Sequence, residues 1–119
     1  MTSLLAAVPP MVSAKQCVAV IAGGAGRNFW HAIDMGAKKA GAELGIDIFS
    51  RELEVEVDSA GQSEMIHDAL KKQCNAFVIA PNSSERVKEI TELNQRRIPI
   101  VIMDRELPSA AMKQLPPSD

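Results

Sequence analysis

Two adjacent aromatic residues, Phe29 and Trp30, are the most conspicuous chemical feature of this sequence. The chain has only three Phe, one Trp and no Tyr among 119 residues, so a neighbouring pair is informative. It follows a short apolar run, Val18 to Ala22, and a glycine cluster, Gly23-Gly24-Ala25-Gly26, with Arg27 and Asn28 between. That order describes a buried strand whose C-terminal end passes into a loop and then a helix. Ligands of open α/β sheets bind in the crevice beyond such strand ends. Phe29 and Trp30 therefore stand where a small molecule would bind.

Other chemistry was tested against the residues and fits less well. Gly24-Ala25-Gly26 begins like a dinucleotide fingerprint, but Phe29 stands where the third glycine must let the helix approach a pyrophosphate. The Gly-Lys-Ser/Thr of a phosphate-binding loop is absent. A phospho-receiver domain would end its first strand in acidic residues and its third in an aspartate; here those ends are Gly23-Gly24 and Ala80-Pro81. His31 and His67 lie on separate helical patterns without metal spacing. No serine sits in a nucleophile elbow. The expectation is no catalytic residue, no metal, no cofactor and no enzyme.

Cys17 and Cys74 each precede an apolar strand pattern. If those strands are parallel neighbours, about 4.8 Å apart, both sulfurs fall at one end of the sheet within disulfide reach. Two buried free thiols are the preferred reading, and a disulfide is the alternative.

The elements that must position these residues can be read in order. With 46% apolar and 24% charged residues, the chain has the make-up of one soluble domain with its own core. A formal charge of -2 leaves no basic footprint for nucleic acid. No apolar stretch approaches the roughly 20 residues of a membrane span. Residues 1–15 are expected to be a leader or flexible segment. Val12-Ser13-Ala14 resembles a cleavage site, but no basic start precedes it and Pro9-Pro10 would break a helix. Residues 108–119, rich in proline, are expected to be a tail or a truncated hinge.

Between these ends, strands are expected at Val18–Ala22, Ile46–Phe49, Ala76–Ala80 and Ile98–Met103. Glu52 to Asp58 alternates acid and aliphatic, which lengthens the second strand or forms a separate edge. A helix from about Asn28 to Leu44 places Phe29, Ile33, Ala37, Ala40 and Leu44 on its apolar face, with Asn28 as N-cap and Gly45 as a left-handed C-cap. Ser59-Ala60-Gly61-Gln62 and Asn82-Ser83-Ser84-Glu85 read as capping boxes. The helices they open bury Met65, Ile66, Ala69 and Leu70, and Val87, Ile90 and Leu93. Alternating strand and helix predicts a three-layer, flavodoxin-like α/β sandwich with a parallel sheet in the order 2-1-3-4. Its switch point then lies between the first and third strands. The loops Gly23 to Asn28, Pro81 to Ser83 and Asp104 to Glu106 converge there.

Four passages together carry a family resemblance. They are Val18 to Gly23 followed by Asn28-Phe29-Trp30; Met35-Gly36-Ala37-Lys38-Lys39-Ala40 with Glu43-Leu44-Gly45; Ala76-Phe77-Val78-Ile79-Ala80-Pro81; and Arg97-Ile98-Pro99-Ile100-Val101-Ile102-Met103-Asp104-Arg105. Over residues 16–107 the chain resembles the N-terminal lobe of type I periplasmic binding proteins, the ribose-binding group in particular, and the effector domains of lac-repressor-like regulators. The resemblance implies a two-lobed clamp around a small polar ligand, usually a sugar. It implies that Phe29 and Trp30 pack on the ligand and that Asp104 and Arg105 bond its hydroxyls. Aromatic planes suit the C–H faces of a pyranose, and charged side chains suit its hydroxyls. Arg27 and Asn28 replace the family's usual asparagine and proline, and Arg27 would favour an anionic group. Ala80 stands where a polar residue is common; Asn82 is the candidate substitute.

The resemblance thus implies a solute-binding lobe for ABC-type uptake, working in the periplasm with a membrane transporter or receptor, and cytoplasmic without a functional signal peptide. The alternatives are a ligand-sensing domain of a signalling receptor or transcription regulator and, more remotely, a doubly wound enzyme domain. A lone lobe offers one wall of a site, so weak binding and a homodimer through uncovered apolar surface are expected. In the full-length context Trp30→Ala is expected to weaken ligand binding and leave the fold intact.

Overall fold

The computed structural model describes residues 16–25, 27–53, 55 and 58–104. Its elements alternate as expected: β1 (Cys17–Ala25), α1 (Arg27–Leu44), β2 (Asp47–Leu53), α2 (Ser59–Lys71), β3 (Ala76–Ile79), α3 (Arg86–Gln95) and β4 (Ile100–Ile102). The four strands form one parallel sheet in the order β2-β1-β3-β4. Val18 to Ile21 pair with Ala76 to Ile79 on one side and with Ile48 to Arg51 on the other. The central β1 is buried along most of its length, as a strand covered on both faces must be. The expected leader 1–15, the tail 108–119 and the Glu54, Glu56 and Val57 part of the alternating segment lie outside the described residues.

Strand alternation sorts the core into two layers. Ala19 and Ile21 of β1, with Phe77 and Ile79 of β3, face α2 and α3 and meet Met65, Ile66, Ala69, Ile90 and Leu93. Ala22 and Ala80, on the opposite alternation, meet Trp30 and Ile33 of α1 and Met103 beyond β4. Helices therefore cover both faces of the sheet, and the switch point lies between β1 and β3.

Several local expectations need correction. α1 is turned from the apolar face read in the sequence. Trp30, Asp34 and Gly41 are buried, whereas Phe29, Ala40 and Leu44 are exposed. Two polar contacts and one small residue decide this rotation. Asp34 accepts a 2.6 Å hydrogen bond from the Ser50 hydroxyl of β2 and a 3.0 Å bond from Lys38. At Gly41 the helix lies so close to β2 that a Cβ would stand 2.4 Å from Ile48 Cγ1. Asn28 is inside α1 and not its N-cap. Gly45 does take the left-handed conformation, with φ 71°.

The α2 cap is Asp58, whose carboxylate accepts a 2.7 Å bond from the Gly61 amide. Ser59 instead donates to Glu85 at 2.5 Å. Before α3, Ser83 accepts from the Glu85 amide through its hydroxyl and from the Arg86 amide through its carbonyl. The Asn82 side chain takes no part in capping α3 and bonds the Asp58 carbonyl. α3 also buries an ion pair, with Arg86 Nε 3.6 Å from Glu89 Oε1. Cys17 and Cys74 are joined in a disulfide, which replaces the preferred reading of two free thiols. The Asn75 amide donates to the Cys17 carbonyl at 2.9 Å, so the turn before β3 already holds Cys74 beside the start of β1.

Candidate functional site

The C-terminal edge of the sheet is built from its backbone outward. β1 and β3 remain in register to Ile21 and Ile79, and the Ala80 amide then donates to the Ile21 carbonyl at 3.0 Å. Past this bond the two chains stay in close contact. A Cβ on Gly23 would stand 2.5 Å from the Ala80 carbonyl oxygen and 3.3 Å from the Trp30 ring. Glycine is required here by the approach of backbone to backbone. β4 reaches the same edge through Met103, whose amide donates to the Ile79 carbonyl at 2.9 Å.

The aromatic pair divides into a floor and a projecting ring. Trp30 is 5% exposed and packs on Ala22, Ala80, Ile33 and Met103. Phe29, one residue earlier, is 53% exposed. Its ring stands edge-on to the indole, with centroids 4.8 Å apart and planes at 83°, a favourable quadrupole geometry. Burial of Trp30 argues against the expectation that Trp30→Ala leaves the fold intact, because the indole fills the seam between α1 and the strand ends. Asn28 is exposed at the start of the helix. Asp104 is exposed just beyond β4 with φ 64°. The side chain of Arg27 and the whole of Arg105 lie outside the described residues.

A residue not foreseen as part of this edge holds it from below. Gln62 is fully buried on the inward face of α2. Its amide nitrogen donates to the carbonyls of Ala22 and Ala80, each at 2.8 Å. Its amide oxygen accepts a 3.0 Å bond from the Asn82 backbone. The sequence held a signal: Gln62 occupies the same stripe as Met65, Ile66 and Ala69, and a lone amide on an apolar stripe needs partners. Asn82, the candidate substitute for a polar residue at position 80, donates through its side chain to the Asp58 carbonyl at 3.1 Å. Its Oδ1 is buried without a hydrogen-bond partner among the described residues.

Acidic groups surround the adjoining loops. The Ser59 and Ser83 hydroxyls hold the Glu85 carboxyl below the usual carboxylate range. Glu52, at the end of β2, lies 3.4 Å from His31 of α1. Among the described residues no three His, Cys, Asp or Glu side chains group to hold a metal, and no helix is long and apolar enough to cross a membrane.

The aromatic ring and polar loop residues lie along the C-terminal edge of a 2-1-3-4 sheet, the edge at which open α/β folds bind their ligands. The chain belongs to the periplasmic binding protein domain family, whose model matches residues 18–115, and it has the form of that fold's N-terminal lobe. It is similar in structure to an ABC transporter periplasmic solute-binding protein from Actinobacillus succinogenes solved with bound D-allose. That likeness has a TM-score of 0.75 and 19% identity over 84% of this chain and 35% of the other. It is also similar to a periplasmic component of an ABC-type sugar transport system from Hahella chejuensis, with a TM-score of 0.66 and 26% identity over 82% of this chain and 35% of the other. The chain thus spans about a third of the length of these relatives. No curated protein sequence matches it significantly.

Proposed function

We propose that this chain is one wall of a sugar-binding site in a protein that serves ABC-type uptake in the periplasm. The observation that carries this reading is the half-exposed Phe29 ring, propped edge-on by the buried Trp30 at the end of β1. Such a ring offers an apolar face to the C–H groups of a sugar. Asn28 and Asp104 flank it along the same sheet edge and supply polar partners for hydroxyls, with Arg27 and Arg105 assigned to the same role. Relatives that bind D-allose or belong to a sugar transport system support a sugar as the ligand. The Cys17–Cys74 disulfide supports an oxidising compartment such as the periplasm.

Trp30 is the sole tryptophan and the chain has no tyrosine, so indole emission reports on this site alone. Titration of the chain with D-allose, D-ribose and a sugar phosphate is expected to give a saturable, weak change for at least one of them. Phe29→Ala is expected to abolish it. A flat response to the whole panel overturns the sugar assignment. Preference for the sugar phosphate identifies Arg27 as an anion partner.

The same reading includes pairing of two copies. β4 ends the described sheet with Val101 60% exposed, and an uncovered strand edge favours association. Sedimentation of the chain is expected to show a dimer; a monomer at all concentrations removes this part.

A further inference from the structure

We propose that Gln62 is a positioning residue for the ligand-binding edge, acting as a clasp that fixes the separation of β1 and β3 where their ladder ends. The inference rests on the sugar-binding reading only for its affinity measurement. The strand pairing ends at Ile21 and Ile79, so the next carbonyls, Ala22 and Ala80, leave regular pairing at the switch point. One amide nitrogen bonds both of them at 2.8 Å. Two carbonyl acceptors on one side-chain atom require that atom to be the nitrogen, which fixes the amide orientation. The oxygen then faces the Asn82 backbone amide at 3.0 Å and sets the start of the β3–α3 loop.

The clasp works from one face of the sheet and Trp30 from the other. Ala22 and Ala80 carry the indole on the α1 side, while Gln62 reaches their backbones from α2. Widening the gap between these carbonyls moves the floor beneath Phe29 and the loop bearing Asn82 together. Gly23 leaves no slack on the near side, because a Cβ there would already collide with the Ala80 carbonyl. Among the described residues no other side chain bonds β1, β3 and the β3–α3 loop together. A ligand resting on Phe29 is thus aligned with the Asn82 loop through an amide it does not touch.

The test compares wild type with Gln62→Met, which keeps the length and removes all three bonds. The readouts are amide and indole resonances of the unliganded chain, thermal unfolding, and D-allose titration. Gln62→Met is expected to shift and broaden the resonances of Gly23, Asn82 and the Trp30 indole, to leave those of Phe77 and Leu93 in place, and to unfold cooperatively. Its D-allose affinity is expected to fall about tenfold, equivalent to the loss of one well-placed contact. Unchanged edge resonances overturn the proposal. If Gln62→Met does not fold, Gln62→Glu decides. Its carboxylate cannot donate to either carbonyl, whereas its protonated form donates to one. Edge resonances of Gln62→Glu are therefore expected to stand away from wild-type positions, furthest where the carboxyl is ionised; edge resonances that coincide with wild type throughout a pH titration overturn the proposal. A wild-type chain that ignores D-allose refutes the sugar reading, and the resonances still decide the role of Gln62.

Discussion

Phe29 stands perpendicular to Trp30, its exposed ring supported by an indole that the fold has already buried. The two neighbours should therefore separate recognition from stability. Phe29→Ala removes an exposed ring and an edge-to-face contact of about 0.5–1.5 kcal/mol. Trp30→Ala opens a cavity between α1 and the strand ends and should cost about 3–5 kcal/mol. Chemical denaturation of the two variants should differ by this margin, and sugar binding followed by calorimetry should be lost in both.

Asp34 should make the lobe acid-sensitive. Burial opposes its charge, but the Ser50 hydroxyl and the Lys38 ammonium outweigh burial and hold the carboxyl below its ordinary value. A carboxylate with a depressed folded value contributes full stability above the ordinary carboxylate range and loses it as pH falls through the folded value. Asp34→Asn should cost about 1 kcal/mol at neutral pH and flatten the acid limb of the stability profile. Parallel acid limbs in the two proteins would contradict this account.

The disulfide should contribute as much as a large buried side chain. Cys17 and Cys74 are 57 positions apart, and cross-linking a loop of that size lowers unfolded-state entropy by an equivalent of about 4 kcal/mol. The Cys17→Ser, Cys74→Ser double variant should unfold at distinctly lower temperature than the oxidised protein. Reduced wild type should match the variant; equal midpoints in oxidised and reduced protein would exclude a stabilising bond.

Two glycines in α1 should respond in opposite directions. Gly36 has no atom within 4 Å of a built Cβ, whereas Gly41 would clash with Ile48 and the Ile46 carbonyl. Gly36→Ala should stabilise the chain by about 0.5–1 kcal/mol through helix propensity. Gly41→Ala should destabilise it by about 1–3 kcal/mol through overpacking against β2. The sign difference can be read from denaturation midpoints.

Period and punctuation made the architecture legible. Apolar runs ending at Gly23 and Pro81 marked buried strands, and the alternation with helices led to the 2-1-3-4 order found in the sheet. Local polar partners were not legible in the same way. The apolar stripe through Phe29 and Leu44 suggested a face of α1 that the Asp34–Ser50 bond turns outward. Ser59 looked like a cap, but Asp58 precedes it and reaches the Gly61 amide. Arg86 and Glu89, which the sequence pattern did not single out, are buried as a pair. The Asp34–Ser50 and Arg86–Ser59 bonds join residues 16 and 27 positions apart, beyond any window of local periodicity, whereas the Asp58–Gly61 cap spans only three positions and was missed because Ser59 offered a capping pattern one residue later. The aromatic pair was found at the sheet edge by its rarity and place, and its division into floor and projecting ring required the helix rotation.

The disulfide joins the start of β1 to the turn before β3, at the pole of the sheet opposite Phe29. Covalent security and the proposed ligand contact thereby fall at different ends of the same two strands. Loops at one pole can change sequence, and so ligand preference, while the tie at the other keeps the strands in register. The lobe is built as an anchored base with a variable rim, an arrangement in which new specificities can arise without rebuilding the fold.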